Sequence, residues 1–125
     1  MRLCGGLPSL RRRDEHGVVV AAFAAGCERG GFRLVHYCVQ KNHFHLVVEA
    51  DDKRSLSRGM RGLVIRLARA LNRLWERKGS VFAERYHARA LRTPTEVRRV
   101  LAYVLCNRRR HDPRLLRHRR WIDPC

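Results

Sequence analysis

Between Phe32 and Ala50 the chain reads FRLVHYCVQKNHFHLVVEA, and apolar and polar positions alternate along most of it. A period of two marks a strand with one covered face. Lys41 and Asn42 interrupt the alternation, which predicts a hairpin: a strand from Phe32 to Gln40, a tight turn, and a second strand from His43 to Ala50. Upstream, residues 14 to 29 place Val19, Val20, Phe23, Ala24 and Cys27 on helical spacing, and Gly30 with Gly31 is the expected stop. Downstream the period changes to that of a long helix, from about Ser55 to Lys78. Leu56, Met60, Leu63, Leu67 and Leu71 fall mostly on one side and Arg58, Arg61, Arg66, Arg69 and Arg73 mostly on the other, with Gly79 as terminator. Residues 81 to 91, VFAERYHARAL, alternate again and predict a strand. Thr93, Pro94 and Glu96 then spell a capping box, so a last helix is expected from Pro94 to about His111, closed by Pro113.

The order helix, strand, strand, helix, strand, helix is a split βαβ arrangement that lacks its opening strand. It predicts an α+β fold: a ferredoxin-like, RRM-like two-layer sandwich with an antiparallel sheet, helices packed on one face, and a first strand largely truncated to Met1–Cys4. Such a truncation is expected to uncover ladder groups and weaken the product. A single domain over residues 1–112 and a basic tail over 113–125 are expected, with no internal repeat.

Charge narrows the function. The 125 residues carry 28 Lys and Arg against 11 Asp and Glu, a net charge of +17, while 45% of them are hydrophobic. That is enough for a core, so the chain is not a disordered basic tail. The excess is mostly Arg, whose planar fork grips phosphate oxygens in pairs, and nucleic acid is the expected partner. Cysteines at 4, 27, 38, 106 and 125 are odd in number and form no CxxC, which argues against a disulfide framework or a zinc knuckle. The arginines before VVVAAFAAGC imitate a secretion signal, but Asp14, Glu15 and His16 break that pattern and a buried helix is the expected reading. No apolar stretch approaches the roughly 20 residues needed to span a bilayer. A cytoplasmic, nucleoid-associated protein without membrane contact follows as the expectation.

Two histidines one residue apart on a strand aim at one point, so His43 and His45 form a paired ligand for a metal ion. Tyr103 and Asn107, four residues apart on the last helix, share a face. A phenol is a nucleophile for phosphorus, and a carboxamide oxygen is a third, harder ligand beside two imidazoles. Tyr37 and Tyr86 are rival nucleophiles. Tyr37 precedes the metal strand, and Tyr86 has Ala90 rather than a ligand four residues on.

With these residues in place the chain resembles the single-tyrosine HUH transposases of the IS200 and REP-associated type. GFRLVHYCVQKNHFHLVVEA looks like that family's central hairpin. GSVFAERYHARALRTP resembles its segment before the tyrosine helix, and YVLCN, residues 103 to 107, its Tyr, three residues, Asn pattern. The resemblance implies His43, His45 and Asn107 on a divalent ion, Mg²⁺ or Mn²⁺, and Tyr103 as the catalytic nucleophile of a single-stranded DNA endonuclease and strand transferase that forms a 5′-phosphotyrosyl intermediate. Single-stranded or hairpin DNA is the implied partner, with Arg58, Arg61, Arg66, Arg85, His87, Arg89 and Arg108 as expected DNA contacts. Homodimer pairing through an uncovered sheet edge is a further expectation. The alternatives are a non-catalytic nucleic-acid-binding module, a truncated and inactive transposase remnant, or a nuclease that activates water and does not need Tyr103. The chain departs from the resemblance in its short first strand and in Arg108, where many relatives carry Pro.

Overall fold

The computed structural model describes residues 1–111, with side chains as far as Cys106. The expected basic tail at 113–125 lies outside the described residues. Six elements follow in order: α1 (Arg13–Gly26), β1 (Glu28–Arg29), β2 (Phe32–Val39), β3 (Phe44–Ala50), α2 (Lys53–Leu74) and α3 (Pro94–His111). The fold is α+β. The hairpin forms as its alternation requires, with Val39 opposite Phe44, Cys38 opposite His45 and Tyr37 opposite Leu46, and one bulge between Leu34 and His36.

Helix α1 stops at Gly26, earlier than expected, and Gly30 with Gly31 does a different job. Glu28 and Arg29 pair with Arg33 and Phe32 as a short outer strand, and the two glycines turn the chain between them. Gly31 has φ 75°, and a Cβ there would sit 2.8 Å from both Asp51 Oδ2 and Ser55 Oγ, so the turn admits no side chain.

The expected gap at the front of the sheet is partly filled. Met1–Cys4 lies between β3 and residues 81–83, with Arg2 bridged to His43 and Leu3 bridged to Phe82, both antiparallel. Leu3 N–H donates to Asn42 O, Phe44 N–H to Met1 O, Cys4 N–H to Val81 O and Ala83 N–H to Arg2 O. The strand expected over 81–91 is correspondingly reduced to this bridge. Among the described residues no ladder hydrogen bond continues past Ala83, and the chain runs on without regular structure to the α3 cap.

Side chains of the sheet divide between two surfaces. Phe44 packs edge-on against Phe23 of α1 at 5.6 Å between ring centres, and Tyr37 meets the same ring at 4.7 Å. Val19, Phe23, Phe44, Leu63, Leu67 and Leu71 build the core between α1, α2 and this face. The third helix departs from a one-sided arrangement: α3 packs on β2 and β3 from the opposite surface, where His45 points.

Helix α2 is capped by Asp52, whose Oδ1 accepts from Ser55 N–H at 2.6 Å. It ends at Leu74, short of the expected terminator. The Trp75 N–H donates to Leu71 O, the Arg77 N–H to Asn72 O, and Glu76 takes the left-handed conformation at φ 50°, where glycine is the usual occupant. Gly59 faces β2 at a position where the backbone must come close. A Cβ there would lie 2.1 Å from Phe32 Cγ. Gly59→Ala is therefore expected to destabilise the fold by about 3 kcal/mol, the upper range for overpacking. Urea denaturation of Gly59→Ala, Phe32→Leu and the pair checks this: the double variant should cost less than the sum of the two single changes.

The capping box of α3 forms as expected. Glu96 N–H donates to Thr93 Oγ1 at 3.2 Å, and Glu96 Oε2 accepts from the N–H groups of Arg92 (2.7 Å) and Thr93 (3.3 Å). The Arg92 N–H, with help from the Arg89 guanidinium and the Thr93 N–H, holds the Glu96 carboxyl below the ordinary glutamate range. Because the folded value lies below the unfolded one, this stabilisation is complete above the unfolded value and fades as pH falls through the folded one. Amide protection in the first turn of α3 should thus fall in acid, and Glu96→Gln should remove that pH dependence; NMR-detected hydrogen exchange measures both.

Candidate metal and nucleophile site

The hairpin turn delivers His43 at the entrance to β3 and His45 two positions on, both on the surface away from α1. Their ring centres are 5.0 Å apart and their planes nearly perpendicular. Phe44 between them is 2% exposed and locked in the core, so the strand cannot roll without unburying it. Asn42 adds a contact that the spacing alone does not reveal: its Oδ1 lies 2.9 Å from His43 Nδ1. In the tautomer whose Nδ1–H donates to that oxygen, Nε2 of His43 is the unprotonated ring nitrogen.

Helix α3 brings the phenol. Val104 is 2% exposed and seats the helix on the sheet. Its neighbour Tyr103 stands edge-on to His45 with ring centres 5.4 Å apart. The Tyr103 side chain remains 46% exposed, an open position for an aromatic residue that packs against a histidine. Beside His45 on the neighbouring strand, Cys38 is fully buried and its Sγ accepts from Gln40 Nε2 at 3.0 Å. His43, His45 and Tyr103, far apart in sequence, thus form one contiguous surface.

Other expected residues lie elsewhere. The side chains of Asn107 and Arg108 are outside the described residues. Arg85, His87 and Arg89 are exposed on the segment leading to α3; Arg89 is paired with Glu96 at 2.9 Å, and His87 lies 3.4 Å from Glu84. Arg58 and Arg61 are exposed on α2, and Arg66 lies along Gly26 of α1, all in the layer behind the sheet from the histidines. Among the described residues no cluster of three or more His, Cys, Asp or Glu side chains forms.

An α+β fold, a strongly basic sequence, and a paired-histidine strand facing a tyrosine helix define a DNA-handling protein in outline. The family described as "Transposase IS200 like" matches residues 12–107. The chain belongs to that family, whose members are DNA-processing transposases, and DNA is its partner. No curated protein and no solved structure matches it. No helix among the described residues is long and apolar enough to cross a membrane.

Proposed function

We propose that this transposase cuts and rejoins single-stranded or hairpin DNA with Tyr103 as the nucleophile and His43, His45 and Asn107 as the holders of a divalent ion. The observation that carries the reading is the edge-on contact between Tyr103 and His45: the only phenol beside the paired histidines among the described residues is the one that the YxxxN spacing selects. The donors suit a hard-to-borderline divalent ion such as Mg²⁺ or Mn²⁺, since two imidazoles and one carboxamide leave coordination positions open. Such an ion supplies Lewis-acid polarisation of a non-bridging phosphate oxygen.

The chain's own groups account for the rest. The Tyr103 oxygen attacks phosphorus, forming an O–P bond as the bond from phosphorus to the 3′ oxygen breaks. The phenolic proton passes to solvent, to which the side chain is open, and the leaving 3′ oxygen takes a proton from water. The phosphotyrosyl ester conserves the energy of the broken bond, so a 3′ hydroxyl can attack it and restore a continuous strand. Arginines facing the sugar-phosphate chain hold the DNA during both steps.

The test incubates the protein with labelled single-stranded hairpin DNA and Mn²⁺ and looks for a product that survives denaturant and carries both label and protein. A covalent adduct with a matching free 3′ end supports the reading. Cleavage without any adduct identifies water as the nucleophile and removes Tyr103 from the mechanism.

A further inference from the structure

Three polar side chains are buried among the described residues: Glu15, Gln40 and Ser55. Glu15 accepts from Trp75 Nε1 at 3.2 Å, and Ser55 is bonded to the Asp52 cap of α2. Gln40 is different. It is 6% exposed, its Nε2 donates to Cys38 Sγ, and its Oε1 accepts no hydrogen bond from any described residue. A buried amide oxygen without a donor is a standing cost that an apolar side chain of the same size would not carry, and it ordinarily marks a water or an ion that completes it. The fold puts this oxygen beside the paired histidines. Tyr37 and Val39 of β2 face the core with Phe23 and Phe44, so Cys38 and Gln40 face the other surface, the one that His43 and His45 share. Cys38 stands opposite His45, and the Gln40 N–H donates to His43 O across the two-residue turn. A carboxamide that reaches from position 40 to Cys38 therefore runs alongside the interval between the two imidazoles, one strand spacing of about 4.8 Å away. Two other acceptors there are engaged: Asn42 Oδ1 faces His43 Nδ1, and Cys38 Sγ takes the Gln40 amide.

We propose that Gln40 is a positioning residue for the divalent ion, its Oε1 accepting a hydrogen bond from a water in the ion's coordination shell on the β2 flank of the histidine pair. A water held by a divalent cation is a stronger donor than bulk water, which suits an acceptor shielded from solvent. The Cys38 contact holds the other end of the amide, so the direction of the oxygen is set before any ion arrives. The inference rests on His43 and His45 as ion ligands and adds a group outside that ligand set.

The experiment compares the full chain with Gln40→Leu, Gln40→Met, Gln40→Glu and His43→Ala. Mn²⁺ affinity is read by electron paramagnetic resonance, exchangeable waters on the bound ion by water-proton relaxation, and thermal unfolding by circular dichroism in EDTA and in Mn²⁺. Mn²⁺ affinity should fall about tenfold or more in Gln40→Leu and Gln40→Met, and should stay within about threefold or rise in Gln40→Glu, which keeps an oxygen at the position. In EDTA the Leu and Met variants should unfold at or above the temperature of the unsubstituted chain, since they bury no unpaired oxygen, and Mn²⁺ should raise that temperature less than it does for the unsubstituted chain. A purely structural amide predicts the reverse, earlier unfolding in EDTA with Mn²⁺ affinity unchanged, and that result overturns the proposal. So does an equal loss of affinity in Gln40→Glu, or one additional exchangeable water in Gln40→Leu, which would make the amide a direct ligand. Mn²⁺ binding that is lost in His43→Ala and intact in Gln40→Leu removes Gln40 and keeps the histidine pair, whereas no Mn²⁺ binding by any form removes both.

Discussion

Tyr103→Phe should leave the protein folded and able to bind DNA while reducing strand cleavage by at least about a thousandfold and eliminating the covalent adduct. The substitution keeps the ring that stands against His45 and removes only the hydroxyl, so the helix and its Val104 seat are undisturbed. That makes it a cleaner probe than Tyr103→Ala, which would open a gap beside the histidines. Gel separation of labelled DNA after denaturation gives both cleavage and adduct in one measurement. An adduct that persists in the Phe variant would move the nucleophile to Tyr37 or Tyr86. Tyr37 is poorly placed for that role, since its ring packs on Phe23 in the layer behind the sheet.

The second large effect is expected at His43. His43→Ala removes one of two imidazoles and leaves Asn42 without the ring it orients. Even loss of an outer partner of a metal ligand typically costs 10–100-fold, so Mn²⁺ affinity and metal-dependent cleavage should each fall by at least about 100-fold. DNA affinity should change far less, because phosphate contacts from arginine supply most of it. Titration of Mn²⁺ followed by electron paramagnetic resonance reads the first quantity and anisotropy of labelled DNA the last. A parallel collapse of DNA affinity would show that the histidine acts as a phosphate contact or a structural group instead.

The parts of this molecule that were readable in the sequence are those whose cause is local. Thr93, Pro94 and Glu96 announce the start of α3 because a capping box closes within four residues. The hairpin and the common facing of His43 and His45 follow from a period of two with a buried Phe44 between them. The boundaries that moved were set by contacts the pattern does not contain. Gly30 and Gly31 serve a helix stop or a hairpin turn equally well, and the pairing of Arg29 with Phe32 decides between them. Glu76 in the left-handed region ends α2 where no glycine signals it. Met1–Cys4 is legible only as the stump of a first strand, and its reception between two neighbours in the sheet is a tertiary outcome the pattern does not contain. That α3 crosses the histidine surface, while the α2 arginines face away from it, is a matter of tertiary packing, and no single-helix periodicity encodes it.

The interdigitation of Phe44 with its two flanking imidazoles ties chemical fidelity to folding fidelity. Sliding β3 by one residue would exchange the two surfaces, driving the imidazoles toward the Phe23 ring and lifting Phe44 into water. A chain with a misplaced histidine pair is thereby also a badly folded protein, so the common facing of the two imidazoles is selected by the same hydrophobic burial that makes the chain collapse. Insertions or deletions between Val39 and Phe44 should consequently be lost from mobile copies as unfolded chains, before any defect in strand exchange could be expressed.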